Sequence, residues 1–201
     1  PCRTGAGQYT DDVALQGQTH AVFVRSPHAH AKIKSIRKDK ALKAPGVLAV
    51  FTGEDLAAAK VGGLPCGWLI TDVNGQPMKE PAHPCLAQGK ARYVGDHVAV
   101  VIAETLDGAH DAAELVEVDY EVLPAVVSML DAIRPGATAI FDDVPDNTCF
   151  DWECGDAKAT AAAFAKAAHV ARISLVNNRL VGNPMEPRAA VAEYDAAREH
   201  Y

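Results

Sequence analysis

Residues Tyr93 to Pro124 read YVGDHVAVVIAETLDGAHDAAELVEVDYEVLP, a strand, a helix and a second strand written almost without interruption. Val98 to Ala103 is an unbroken apolar run rich in β-branched residues, the pattern of a strand covered on both faces and so central in its sheet. Thr105 offers a hydroxyl to the free N–H groups of a helix start. Behind it Leu106, Ala109, Ala113 and Val116 fall on one helical face and Asp107, His110, Asp111 and Glu114 on the other, which predicts an amphipathic helix. From Glu117 to Val122 the pattern becomes strict alternation, with Val118, Tyr120 and Val122 on one side and Glu117, Asp119 and Glu121 on the other. That strand has one wet face.

Working upstream, Gln18 to Arg25, Ala31 to Ile36 and Val47 to Phe51 read as three further strands, the last launched by the Pro45-Gly46 turn. Thr52 and Asp55 have the spacing of a capping box, with Asp in place of the usual Glu, ahead of the helix-favouring Leu56 to Ala59. Between Val61 and Ala91 lie five glycines and four prolines, so this stretch is turn chemistry rather than periodic structure. It is either a surface loop of no particular role or a docking or lid segment.

Downstream, Val126 to Phe141 contains Pro135-Gly136 and runs into the turn-rich FDDVPDN, which marks a domain junction. Asp156 caps an Ala-rich helix from Ala157 to Ala168 whose one bulky apolar residue is Phe164; such a helix needs a partner surface. Val170 to Val181 reads as a long strand whose apolar phase slips from Ala171, Ile173 and Leu175 to Val176 and Leu180, predicting a β-bulge near Val176 or Asn177. Ala189 to Tyr194 gives one more strand.

The 201 residues, 49% hydrophobic and 22% charged, suffice for one large domain or one domain and part of another. A net charge of −7 argues against a nucleic-acid binder, which needs clustered Lys and Arg. No apolar stretch approaches the roughly 18 residues of a membrane span. Five irregularly spaced cysteines make no disulfide framework, and a reducing, cytoplasmic location is expected.

Candidate sites are few. His28 and His30 are expected on the same side of a strand with His83 as a third possible metal ligand, but nothing brings the three together, and turn-to-strand chemistry is preferred. Neither Cys66 with Cys85 nor Cys149 with Cys154 has the repeated C-x-x-C spacing of a zinc or redox site, and ferredoxin-like spacing is absent. There is no G-x-G-x-x-G, no G-x-x-x-x-G-K-[ST] and no G-x-S-x-G. Lys32, Lys34, Arg37, Lys38, Lys40 and Lys43 read as a solvated strand end rather than a contact for an acidic partner. In Asn183 to Arg188, NPMEPR, two prolines fix the backbone around Glu186 with Arg188 two residues on, a structural turn. No catalytic, cofactor-binding or metal-binding residue is assigned.

The glycine-aspartate turn, buried strand, Ala-rich helix and VEVDYEVLP together resemble the α/β hammerhead domain of the xanthine dehydrogenase and aldehyde oxidase family of molybdopterin-binding large subunits. TGAGQYTDD at Thr4 to Asp12, RSPHAHAKI at Arg25 to Ile33, PGVLAVFTGEDL at Pro45 to Leu56 and NNRLVGNPMEPRAAVAEYD at Asn177 to Asp195 agree in order. CGWLITDVNGQP with NPMEPR most resembles the aerobic carbon-monoxide dehydrogenase type of large chain. The resemblance implies an α+β fold: an α/β hammerhead domain with a mixed sheet over residues 4–126, a linker over 127–150, and an incomplete start of the molybdopterin-binding domain over 151–201. It implies an N-terminal fragment of a molybdenum-cofactor-dependent hydroxylase or dehydrogenase large subunit, inactive alone, with a structural and assembly role. Molybdenum-molybdopterin would belong to the full-length subunit, FAD and 2Fe-2S clusters to partner chains or domains, and the complete complex would be a homo-oligomer. Strands 170–181 and 189–194 are expected to lack sheet neighbours. The alternative is a stand-alone, non-catalytic interaction subunit that reuses the hammerhead fold.

Overall fold

In a computed structural model that describes residues 5, 7–177, 180–185 and 188–201, the apolar run of Val98 to Ala103 becomes the middle of a three-stranded sheet. The elements in chain order are β1 (His20–Arg25), β2 (Ala31–Arg37), α1 (Asp39–Leu42), β3 (Val47–Thr52), α2 (Gly53–Ala58), β4 (Lys90–Ala91), β5 (His97–Ala103), α3 (Leu106–Glu114), β6 (Glu117–Val122), α4 (Met129–Ala132) and α5 (Ala157–Lys166). One sheet has the order β1-β5-β3, the other β4-β2-β6. The α+β class holds, but the strands expected in one mixed sheet form two sheets, each antiparallel throughout. Two compact units result, Thr19–Cys154 by itself and Gly155–Tyr201 with Pro1–Gln18.

The core of Thr19–Cys154 sits where α3 and α1 cover the first sheet. Ala41, Val50, Ala99, Val101, Ala112 and Val116 form one buried cluster, and the register places Val101 between Val22 and Val50. Alanines at 99, 109 and 112 are completely buried, and their small side chains let the helix approach the strands closely. Thr105 caps α3 by accepting a hydrogen bond from the Gly108 N–H at 3.1 Å. The inner face differs from the expected one. Ala112 is buried, whereas Leu106 is 48% exposed because the first turn of α3 leaves that side chain in water.

Thr52 caps α2 with the expected reciprocal box: its N–H donates to the Asp55 carboxylate at 2.7 Å and its hydroxyl accepts from the Asp55 N–H at 3.4 Å. The same carboxylate accepts from Lys38 Nζ at 2.5 Å, an ion pair that lowers the Asp55 pKa. Asp therefore serves as well as Glu here, because the Thr52 hydroxyl, at 2.8 Å, and Lys38 add two donors to the Thr52 N–H.

In the second sheet β2 is central, and β6 lays its acidic face against the basic run. Lys32 and Lys34 reach Glu121 at 3.2 and 3.6 Å, and Arg37 and Lys40 reach Glu117 at 2.8 and 2.5 Å. Lys40 and then Arg37 hold the Glu117 carboxyl down to about 2. Lys32, Lys34, Arg37 and Lys40 thus meet carboxylates while staying more than half exposed, so the run remains a solvated strand end, and exposed pairs of this kind each contribute less than about 1 kcal/mol.

Residues 155–201 depart most from expectation. α5 forms, and Asp156 caps it by accepting from the Ala159 N–H at 2.8 Å. Every described residue from 155 to 201 is exposed, Phe164 included. No strand forms among the described residues of 170–181 or 189–194, and so no bulge near Val176 or Asn177. Side-chain alternation suits a sheet, but a strand exists only where a neighbour pairs its backbone, and none does so here.

Candidate functional site

The long stretch between α2 and β4 is ordered by backbone contacts that its sequence composition conceals. At its base, a Cβ on Gly53 would collide with the Ala87 carbonyl oxygen, and one on Gly63 would come within 2.5 Å of the His83 oxygen. Only glycine permits either approach. The Leu64 N–H donates to His83 O at 2.8 Å and the Ala87 N–H to His97 O at 2.7 Å, so the excursion is stitched to itself and to β5. Leu86 and Ala87 are buried beneath it.

Its outer part is a turn centred on Asp72, whose carboxylate accepts from the N–H groups of Asn74 and Gln76, both at 2.8 Å. This turn docks on a second irregular segment. The Val73 N–H donates to Asp151 O and the Lys79 N–H to Cys149 O, both at 2.9 Å, while Lys79 pairs with Asp146 at 3.0 Å. Residues 61–80 and 142–153 together form one pinned module.

Beside the base lies a cleft of about 250 Å³ lined by Pro81, Pro84, Ala87, Tyr93, Asp96 and Phe141, among others. Arg92 stacks over the Phe141 ring at 4.6 Å and donates from Nε to Ile140 O at 3.3 Å. Asp96 is buried and accepts from the Arg92 N–H at 2.9 Å. Burial, reinforced by Asp96, raises the Tyr93 phenol. His97 stacks on Phe23 with ring centres 4.4 Å apart, and burial, then Arg25, lowers its pKa. The Asp96 carboxylate holds a turn and the Arg92 guanidinium holds the 140–141 backbone, whereas His97 Nε2 is buried with no hydrogen-bond partner among the described residues.

The histidines expected on one strand face lie instead in the bend between β1 and β2. His28 meets Tyr120 edge-on at 5.1 Å. His30 is only 3% exposed, and its Nδ1 lies 2.9 Å from Pro124 O, which as a carbonyl can only accept and so assigns the proton to Nδ1. His30 ties the exit of β6 to the bend. His83 rims the cleft. Among the described residues no three His, Cys, Asp or Glu side chains gather as metal ligands, and Cys66, Cys85, Cys149 and Cys154 are free thiols. Glu186 lies outside the described residues, and Arg188 is exposed. The excursion expected at 61–91 supplies one half of the pinned module, whereas its pairing with 142–153 has no counterpart in the expectation. A local signal of the module is that both tryptophans of the chain, Trp68 and Trp152, stand in turn-rich segments, the second of them also acid-rich.

Comparison with known proteins sets this geometry in context. Residues 4–124 match the family model of the aldehyde oxidase and xanthine dehydrogenase a/b hammerhead domain, and residues 140–201 that of the molybdopterin cofactor-binding domain. The carbon monoxide dehydrogenase large chain of Afipia carboxidovorans is 39% identical over 95% of this chain and 24% of its own length. The nicotine 6-hydroxylase large subunit of Paenarthrobacter nicotinovorans is 34% identical over 96% of this chain and 22% of its own. The Cu,Mo-CO dehydrogenase in its carbon monoxide reduced state aligns with a TM-score of 0.68 at 37% identity, covering 84% of this chain and 21% of that one. The chain therefore spans about a quarter of the length of the curated relatives it matches.

A molybdopterin needs an enclosing cradle of donors. The described residues of 155–201 do not provide one, since all are exposed. Among the described residues no helix is long and apolar enough to cross a membrane. With its hammerhead match over residues 4–124, which hold the two antiparallel sheets and the helix that covers the first of them, the chain belongs to the aldehyde oxidase and xanthine dehydrogenase family.

Proposed function

We propose that this chain is the supporting, N-terminal region of a molybdenum-cofactor-dependent hydroxylase or dehydrogenase large subunit of the carbon-monoxide dehydrogenase type, and that its role is structural and assembly-directed. The observation that carries this is the 39% identity to a carbon monoxide dehydrogenase large chain over 95% of the chain. It is joined to a site in which the Asp96 carboxylate and the Arg92 guanidinium hold backbone. Residues 4–126 serve as the hammerhead support, 127–150 as the linker, and 151–201 as the beginning of the cofactor domain. That last stretch acquires its strands when the rest of the subunit supplies sheet neighbours.

Molybdenum-molybdopterin then belongs to the full-length subunit. FAD and 2Fe-2S clusters would belong to partner chains or domains and would supply electron transfer there. What these residues contribute is position: β5 and α3 give a rigid base, and the module of 61–80 with 142–153 projects from it. The test is a parent large subunit from which residues 19–124 are deleted, co-expressed with its partner subunits and sized by light scattering. Loss of the complex is expected. A deleted subunit that still assembles and turns over like the parent would contradict the proposal.

A further inference from the structure

The pinned module exposes what domains normally bury. Trp68 is 81% exposed and Trp152 58%, and they are the two tryptophans of the chain. Leu64, Leu69 and Phe150 on the same segments are exposed as well. This is not slackness: two glycine contacts at the base, the Asp72 turn and the pairing with Cys149 and Asp151 hold the segments in place. An ordered surface that presents tryptophan to water has the composition of a binding hot spot, where one buried aromatic removes roughly 150–250 Å² from solvent.

Charge selects the occupant. Residues 61–80 and 142–153 carry seven carboxylates against one lysine, so nearly all of the net −7 of the chain is concentrated here. Asp146 and Asp142 are paired with Lys79 and Lys90, and Asp72 is used in its turn. Asp143, Asp151 and Glu153 remain exposed, with no ion pair among the described residues. A second copy of this chain would set acid against acid across the contact. We infer that the Trp68–Trp152 module is a docking surface for a polypeptide partner whose matching face is an apolar pocket rimmed by Lys and Arg. The inference rests on the assembly role above and specifies the surface and the partner chemistry.

The chain labelled with 5-fluorotryptophan gives two ¹⁹F resonances, one per tryptophan. It is titrated with the separately purified flavin subunit and iron–sulfur subunit of the same enzyme, at low and high salt. Binding to one of them is expected to abolish the H₂O/D₂O solvent shift of both resonances and to weaken as salt rises. Trp68→Ala, Trp152→Ala and the double reversal Asp143→Lys/Glu153→Lys are each expected to weaken association at least about tenfold, with unchanged urea midpoints. Binding with both resonances still solvent-shifted and undiminished affinity in the variants would overturn the docking surface alone. Failure to bind either subunit would overturn it together with the assembly role. Concentration-dependent loss of the solvent shift in the chain by itself would replace the basic partner with a second copy and overturn it equally.

Discussion

Replacing Val101 by alanine tests whether β5 is the mechanical centre of the molecule. Val101 is completely buried between Val22 and Val50 and beneath α3. Two carbons leave the core, worth about 0.8 kcal/mol each in transfer free energy. The space they vacate adds a cavity cost of about 1 kcal/mol, because strands held on both sides relax little. The expected loss is about 2–3 kcal/mol. With a urea dependence of roughly 1–3 kcal/mol per molar for small proteins, the midpoint falls by about 1–2 M. Far-UV circular dichroism is the appropriate readout, since both tryptophans are already exposed and their fluorescence changes little on unfolding. The cooperative transition belongs to Thr19–Cys154, as no described residue of the other unit is buried. Leu106→Ala is the control: half-exposed at the start of α3, it is expected to stay within about 0.5 kcal/mol of the parent. A Val101→Ala midpoint equal to the parent, or a Leu106→Ala loss as large, would refute this assignment of the core.

Four further outcomes follow from the same contacts. Gly53→Ala drives a Cβ into the Ala87 carbonyl and is expected to open the base of the 61–84 excursion, read as faster proteolytic nicking there; protection equal to the parent would show that the contact yields cheaply. The Glu117 carboxyl has a folded pKa of about 2 against an ordinary value of 4.5, so its stabilisation is present above pH 4.5 and lost as pH falls toward 2; Glu117→Gln is expected to flatten the urea midpoint in that window. His97 is held neutral below its ordinary 6.5, so the unfolded chain binds the proton first and stability declines as pH drops below 6.5; His97→Phe, which keeps the stack on Phe23, is expected to reduce that slope. Thr52→Ala is expected to cost about 1 kcal/mol globally, whereas Asp156→Ala lowers helix content without moving the midpoint, because α5 buries nothing.

What was legible in the chain is what is local. The β5, α3 and β6 succession follows from a continuous apolar run, an N-capping Thr105 and an alternating segment, each readable within ten residues. The Thr52 and Asp55 box is equally local. The two-sheet topology is not, since nothing near Ala31 says that it pairs with Val122 on one side and Ala91 on the other. The same gap explains the basic run. Its residues are conspicuous in sequence, but their balance by Glu117 and Glu121 depends on a register set some 80 positions away. Among the described residues of 170–181 and 189–194 the expected strands fail for the complementary reason, as alternation names residues that suit a sheet without supplying the neighbour. His30 carries no local sign of burial, and its role appears only when Pro124 returns to meet it. The pinned module is least legible of all, because its order comes from glycine contacts and main-chain bonds between segments rich in turn residues.

These residues support a cofactor that other parts of the subunit hold. The most direct test of this is the molybdenum content of the 201-residue chain. The chain is purified by affinity and gel filtration from cells that make the cofactor, and the parent large subunit is treated identically. About one molybdenum per parent subunit is expected, and almost none on the chain. Stoichiometric molybdenum retained by the chain alone would contradict it.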